Sequence, residues 1–228
     1  MKQLDSRIFC FAFFFFFRLI FRRKIEAINF HSSLTETSIE PSSPILLLAN
    51  HVSWWDGFIL IFLARRLFPR HKFNVAMKYE EWSKRKWMRH LGALPLDSKS
   101  PSQLLGFFRN LKKERENNPA FCLGYFFEGK MAVSGEKVHE VLRGTLLVAE
   151  ELAPITLIPV AIFADVQHQP KSVFYVRTGS PIEISNSENE LSHLTEWVNE
   201  LNQKNIQEAE MIQVKTSVFK SMGWEKLW

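Results

Sequence analysis

Residues 44–49 read Pro44-Ile45-Leu46-Leu47-Leu48-Ala49, and the chain turns polar at once with Asn50-His51. A strand with one face in water alternates apolar and polar residues; this run does not alternate. It reads as a strand buried on both faces, the kind found in parallel sheets covered by helices. A second such run, Ile155-Thr156-Leu157-Ile158-Pro159-Val160-Ala161-Ile162-Phe163, lies further along. Outward from residue 49, the pattern predicts a helix over 54–67, a short strand over 73–77, a basic helix over 81–91 and a strand over 93–96. Ser100 then reads as an N-cap, with Pro101 at the first helical position and Gln103 at the third. Leu104, Leu105, Phe107, Phe108 and Leu111 form the apolar stripe of that helix. A strand over 121–127, a helix over 141–152 and a strand over 172–176 follow. A last helix starts at the box Ser187-x-x-Glu190, with Leu191, Leu194, Val198 and Leu201 on one face. Buried strands alternating with helices predict an α/β fold: a mainly parallel central sheet flanked by helices, with ligands at the carboxyl ends of its strands.

The chain has 228 residues, 46% of them hydrophobic and 23% charged, which excludes a disordered protein. Two cysteines, Cys10 and Cys122, exclude a disulfide scaffold. The formal net charge is +5, and residues 1–24 alone account for it: Lys2, Arg7, Arg18, Arg22, Arg23 and Lys24 stand against Asp5. The basic excess therefore belongs to one segment and does not by itself indicate nucleic acid, which is not expected as a partner. That segment is also apolar. Eight of the 21 phenylalanines lie between Phe9 and Phe21. The run of residues 8–17 is too short for a spanning helix, which needs about 20 apolar residues. No small-residue cleavage site follows it. Phenylalanines entering the acyl boundary and cations reaching lipid phosphates fit a peripheral or monotopic membrane segment. A short or tilted span and a soluble core helix remain alternatives. The expected organisation is a membrane-associating segment over 1–30, a polar link over 31–43 and a catalytic domain over 44–228, on the cytoplasmic face of a membrane.

No glycine-rich phosphate loop and no nucleophile elbow occurs. The seven histidines are never closer than 19 positions, so no local metal motif exists and no metal is expected. Residues 65–90 carry nine Lys/Arg against Glu80 and Glu81, with Trp82 and Trp87 among them. A solvated basic helix is the plain reading, and a membrane-facing or coenzyme surface comes next. The most informative stretch is Asn50-His51-Val52-Ser53-Trp54-Trp55-Asp56-Gly57. On a regular helix, residues five apart project about 140° from one another and do not meet. With His51 in the loop and Asp56 in the first helical turn, the carboxylate reaches back to the imidazole and fixes its tautomer, making His51 a base. Spacing alone favours the plainer reading, in which Asp56 caps the helix and His51 is an ordinary loop residue.

Asn50-His51-x-x-x-x-Asp56 resembles the His-x4-Asp motif of the glycerolipid (lysophospholipid) acyltransferase family. Three further blocks match in order: Gly92-Ala93-Leu94-Pro95-Leu96-Asp97, Phe126-Phe127-Glu128-Gly129 and Leu157-Ile158-Pro159-Val160-Ala161. Arg143-Gly144 also fits, and the similarity runs from about residue 44 to 184. The resemblance implies an α/β enzyme at membranes that moves an acyl group from acyl-CoA or acyl-carrier protein to a lysophospholipid-type hydroxyl, 1-acylglycerol 3-phosphate among the acceptors. It implies His51 as the base and Asp56 as its orienting carboxylate, with no acyl-enzyme and no bound cofactor. Glu128 and Gly129 would position the acceptor. Backbone amides near the helix start would suit the thioester oxyanion.

Two departures stand out. The family's phosphate-binding arginines fall at Ser98 and Met131, and each vacancy has a lysine beside it, Lys99 and Lys130. A lysine is a mobile point charge without the bidentate fork of arginine. Lys99, Lys130 and Arg143 are the cations expected at the acceptor. The rival reading is a membrane-anchored binding protein that keeps this fold without the reaction.

Overall fold

The apolar run that opens the fold lies fully out of water: all five residues of Ile45–Ala49 are 0% exposed. The reason is a division between two cores. Ile45, Leu47 and Ala49 pack on one face of the sheet, and Leu46 and Leu48 on the other. The second run divides the same way, with Ile158, Val160 and Ile162 on the first face and Ile155, Leu157 and Ala161 on the second. With apolar cover on both sides, no position is left that water would keep polar.

The structure, a computed structural model, describes residues 23–32, 34, 39, 43–138, 141–166, 171–185, 193–214 and 225–226. Of the expected membrane-associating segment over residues 1–30, residues 1–22 lie outside them, as does the Ser187–Glu190 box. Among the described residues no helix is long and apolar enough to cross a membrane. In chain order the elements are β1 (Ile25–Ser32), β2 (Ile45–Ala49), α1 (Asp56–Leu67), β3 (Lys72–Lys78), α2 (Tyr79–Lys84), a 3-10 turn (Lys86–Leu91) and β4 (Ala93–Leu96). Then follow α3 (Pro101–Asn117), β5 (Phe121–Phe126), α4 (Arg143–Leu152), β6 (Ile155–Asp165), β7 (Ser172–Thr178), β8 (Ile182–Ile184), α5 (Leu194–Val214) and β9 (Glu225–Lys226). The strands form one sheet in the order β4-β3-β5-β2-β6-β7-β1-β9, with β8 on β6. From β4 to β6 every pairing is parallel, while β7 and β8 run antiparallel to β6. The fold is thus α/β with a mostly parallel sheet flanked by helices. Phe58, Ile59, Leu60 and Leu63 of α1 cover one face. Phe107 and Leu111 of α3, Val148 and Leu152 of α4, and Val198 of α5 cover the other.

The structure corrects three local expectations. Residues 81–91 are not one helix. The chain breaks at Arg85, which has an extended φ of −126°. The break lets the Trp82 indole donate to the Ala93 carbonyl at 3.2 Å while Met88 and Leu91 turn into the core. In α3, Leu105 is 60% exposed, so the buried stripe narrows to Phe107 and Leu111. Residues 25–32, divided in sequence between the N-terminal segment and the polar link, form a strand that pairs in parallel with β7.

Candidate active site

β2 ends at Ala49, and the next residue extends the sheet with its side chain. Asn50 is 3% exposed. Its Nδ2 donates to the Ile162 carbonyl at 2.9 Å, and its Oδ1 accepts the Ile162 N–H at 2.7 Å. The ladder between β2 and β6 gains one more rung while the main chain turns away toward α1. His51 therefore leaves from a fixed point at the carboxyl edge, beside the carboxyl end of β5.

Asp56 opens α1 and is fully buried. Its Oδ2 accepts from His51 Nδ1 at 2.9 Å, from the Val52 amide at 2.7 Å and from the Ser53 amide at 2.8 Å. Its Oδ1 accepts from Ser53 Oγ at 2.6 Å. A carboxylate only accepts, so Nδ1 carries the ring proton and Nε2 is left with its lone pair. The two sequence readings of Asp56 both hold in part. It ties the turn, through amides that precede the helix, and it grips the imidazole. The ring stacks on Phe126, with centroids 4.3 Å apart and planes 20° apart, and its side chain is 23% exposed. One face thus rests on an apolar plane while the edge reaches solvent.

Glu128, expected at the acceptor from the Phe126–Gly129 block, grips His51, a contact that no local pattern in the sequence announces. It lies 77 positions away, and its Oε2 accepts the His51 backbone N–H at 3.2 Å. On the same connection the Ala132 amide donates to the His51 carbonyl at 2.7 Å. Gly129, with φ +63°, makes the intervening turn, and a Cβ there would lie 2.5 Å from Leu142 Cδ1. The loop after β5 thus clasps the His51 peptide on both sides. Lys130 follows it and is exposed, as are Lys99 after β4 and Arg143 at the start of α4. All three share the carboxyl edge, but among the described residues they make no hydrogen bond or ion pair with His51, Asp56 or Glu128.

The geometry places His51 where a base could act, and among the described residues no side-chain nucleophile stands ready beside it. The Ser53 hydroxyl donates to Asp56 and accepts the Trp55 amide at 3.1 Å, so it is committed to the turn. Cys122 is wholly buried in β5, and burial pushes its thiol far above the ordinary range, which suppresses the thiolate. Burial likewise pushes the Tyr125 phenol up to about 12, so it stays protonated. Of the amides around the start of α1, those of His51, Val52, Ser53 and Trp55 are engaged by Glu128, Asp56 or Ser53.

A search of curated proteins finds no match. Comparison with protein families matches residues 29–163 to "Acyltransferase", a span reaching from β1 into β6 and containing His51, Asp56 and Glu128. The match covers more than half of the chain, and the protein therefore belongs to the acyltransferase family.

Proposed function

We propose that the protein is a membrane-associated O-acyltransferase. It moves a fatty acyl group from acyl-CoA or acyl-carrier protein to a hydroxyl of a lysophospholipid or related lipid, at the cytoplasmic face of a membrane. The observation that carries this reading is the His51–Asp56 pair, with Nδ1 held at 2.9 Å and, among the described residues, no side-chain nucleophile in register. His51 Nε2 takes the proton of the acceptor hydroxyl as its oxygen attacks the thioester carbonyl carbon. The tetrahedral oxyanion collapses, the carbon–sulfur bond breaks, and the thiolate takes the proton back from the imidazolium. The buried charge of Asp56 stabilises that imidazolium during the transfer. The products are an ester and a free thiol, and the enzyme ends as it began. Incubation with labelled acyl-CoA and a panel of lyso-lipids, followed by mass spectrometry, tests the reading. Acylated lipid is expected. Intact thioester with every acceptor and with both donor carriers would overturn it.

The acceptor follows from the cations. Ser98 and Met131 stand where the family resemblance places phosphate-binding arginines, and Lys99 and Lys130 beside them are exposed. Without a bidentate fork, a terminal phosphate monoester gains little over a phosphodiester or a neutral head group. A lysophospholipid with a head group, or a neutral lipid or sugar hydroxyl, is expected to outcompete lysophosphatidic acid. Ser98→Arg with Met131→Arg is expected to shift preference back toward the monoester. Direct competition measures this. A preference of the unmodified enzyme for lysophosphatidic acid of about tenfold in kcat/KM, worth about 1.4 kcal/mol, would exclude it.

Removal of residues 1–24 is expected to weaken membrane attachment while leaving the sheet whole, because β1 begins at Ile25. The removed segment carries a net charge equal to that of the whole chain. Attachment of the full chain to anionic vesicles should fall as salt rises, since the polybasic part is screened beyond ~10 Å at 0.1 M. Co-sedimentation unchanged by truncation would reject this role.

A further inference from the structure

We infer that Ser134 and Asn199 are positioning residues for the site: together they brace the loop that clasps His51. The connection from β5 to α4 is long, with sixteen residues between Phe126 and Arg143. Loops beyond about 12–15 residues are uncommon in compact domains, and ordering one costs conformational entropy. This loop carries Glu128 and Ala132, the two residues that bond the His51 peptide. Hydrogen bonds to an unbraced loop would let His51 drift with it. The clasp therefore needs fixed points further along.

The sheet supplies the first. β6 outruns β2: Ala49 pairs with Val160, while β6 continues to Asp165. Past Val160, the edge of β6 that faced β2 has no partner strand. Asn50 covers that edge at Ile162, and Ser134 covers it at Ala164, whose N–H donates to Ser134 Oγ at 2.7 Å. A buried main-chain N–H without an acceptor is costly, so the edge selects a hydroxyl from the loop. Gly135, with φ +88°, then turns the chain between β6 and α5. A Cβ there would lie 3.6 Å from Phe163 and 3.8 Å from Ile206.

α5 supplies the second. Asn199 Oδ1 accepts the Val138 N–H at 2.7 Å, and its Nδ2 donates to the Val138 carbonyl at 2.9 Å. Val138 is buried in the same core as Val198. The helix is itself pinned six residues on, about 9 Å along its axis. There the fully buried Asn205 accepts from Arg177 Nε at 3.1 Å and donates to the Ala161 carbonyl at 3.2 Å. The Arg177 guanidinium also pairs with Glu208. A slip of α5 would break this buried network, so Asn199 is a rigid anchor. α5 begins at Leu194, past the residues 29–163 that match the family, so this half of the brace comes from outside the matched region.

Along the chain the loop is thus tied at Ala132 to His51, at Ser134 to β6 and at Val138 to α5. Among the described residues, neither Ser134 nor Asn199 bonds to His51 or Asp56; both act through the loop. The consequence for turnover rests on the acyl-transfer reading. The mechanical statement does not, and the experiment separates the two.

Amide hydrogen exchange is followed by NMR on the full chain in a mild detergent, without substrate. The unmodified protein is compared with Ser134→Ala, Asn199→Ala and the double variant. In the double variant, exchange at Ala132 and His51 is expected to quicken about tenfold, while Leu47 in the central strand stays unchanged. Each single variant is expected to show a smaller change at the same two amides, and decides the matter if circular dichroism shows the double variant unfolded. Unchanged exchange at Ala132 would overturn the proposal, because the clasp then needs no brace. Equal quickening at Leu47 would overturn it too, because the two side chains then only support the fold. In acyl transfer, kcat of the double variant is expected to fall about tenfold. Thr156→Val, which loses a hydrogen bond to Glu183 at the amino end of β6, is expected to leave kcat unchanged. Quickened exchange with normal kcat, or an equal fall in Thr156→Val, would overturn the positioning role. Absence of acyl transfer in the unmodified chain would overturn the proposed function and leave the exchange result to decide the brace.

Discussion

Replacing His51 with alanine is expected to lower kcat about 10²–10⁴-fold, the usual worth of a positioned general base. The fold should survive, because the ring is partly exposed and its loss removes one stacking contact and one hydrogen bond. Asp56 separates orientation from charge. In Asp56→Asn the amide oxygen can take the place of Oδ2 and keep the Val52 and Ser53 amides. The amide nitrogen then faces the Ser53 hydroxyl, which can turn to accept. Geometry is largely kept, but the neutral amide no longer stabilises an imidazolium, so kcat should fall severely with little change in stability. In Asp56→Ala, two amides, a hydroxyl and the imidazole lose their shared acceptor at a fully buried position. That variant should lose about 3 kcal/mol of stability as well as activity. Turnover of the true substrate by His51→Ala at the unmodified rate would end the proposed mechanism.

Gly92→Ala is expected to be the most damaging small substitution outside the site. Gly92 has φ +86°, and an added Cβ would sit 2.3 Å from the Phe73 carbonyl oxygen and 3.2 Å from Asn74 Cα. Both are main-chain atoms of β3, so no side-chain rotation relieves the clash. The Gly92 carbonyl also accepts from the Asn74 side chain at 3.1 Å and from the Val75 amide at 3.0 Å, so the turn cannot slide away without breaking both. Left-handed backbone strain and the steric conflict together should cost at least ~3 kcal/mol. For a chain of this size that is a fall of roughly 6–12 °C in Tm. Chemical denaturation measures it, and a loss under about 1 kcal/mol would contradict the turn described. The fraction that remains folded should turn over normally, which sets this variant apart from His51→Ala.

Legibility in sequence followed the range of the force that shapes each element. Ile45–Ala49 and Ile155–Asp165 were readable because burial on two faces leaves an unbroken apolar run. Pro101 after Ser100 marked the start of α3 because proline fixes its own φ. The break at Arg85 left no such mark, since neither glycine nor proline is there. It comes from the distant anchor of Trp82 on Ala93, a tertiary contact. Ile25–Ser32 was hidden by its neighbours. Its apolar positions 25, 27, 28 and 30 continue the hydrophobic character of the N-terminal segment, and only pairing with β7 sets it apart. The antiparallel turn from β6 to β7 did leave a signal. Six residues separate Asp165 from Ser172, too few for a helical crossover. At the site, His51 and Asp56 were visible as a spaced pair, and their juxtaposition needed only one loop and one helix start. The Glu128 grip on the His51 amide was not visible, because residues 77 positions apart meet only through the sheet.

Asn50 carries a consequence for motion. A side-chain amide has the same donor and acceptor as a peptide group, so it can complete a strand's hydrogen bonding while its own backbone is free to turn. Here that substitution welds the first residue of the β2–α1 loop to Ile162. The loop's root therefore moves with the sheet, and breathing of the surface segments beyond it does not shift His51. Its opening also becomes measurable at one place. The Asn50 side-chain protons and the Ile162 amide are released by the same event, and their shared rate of exchange with solvent clocks how often His51 leaves its post.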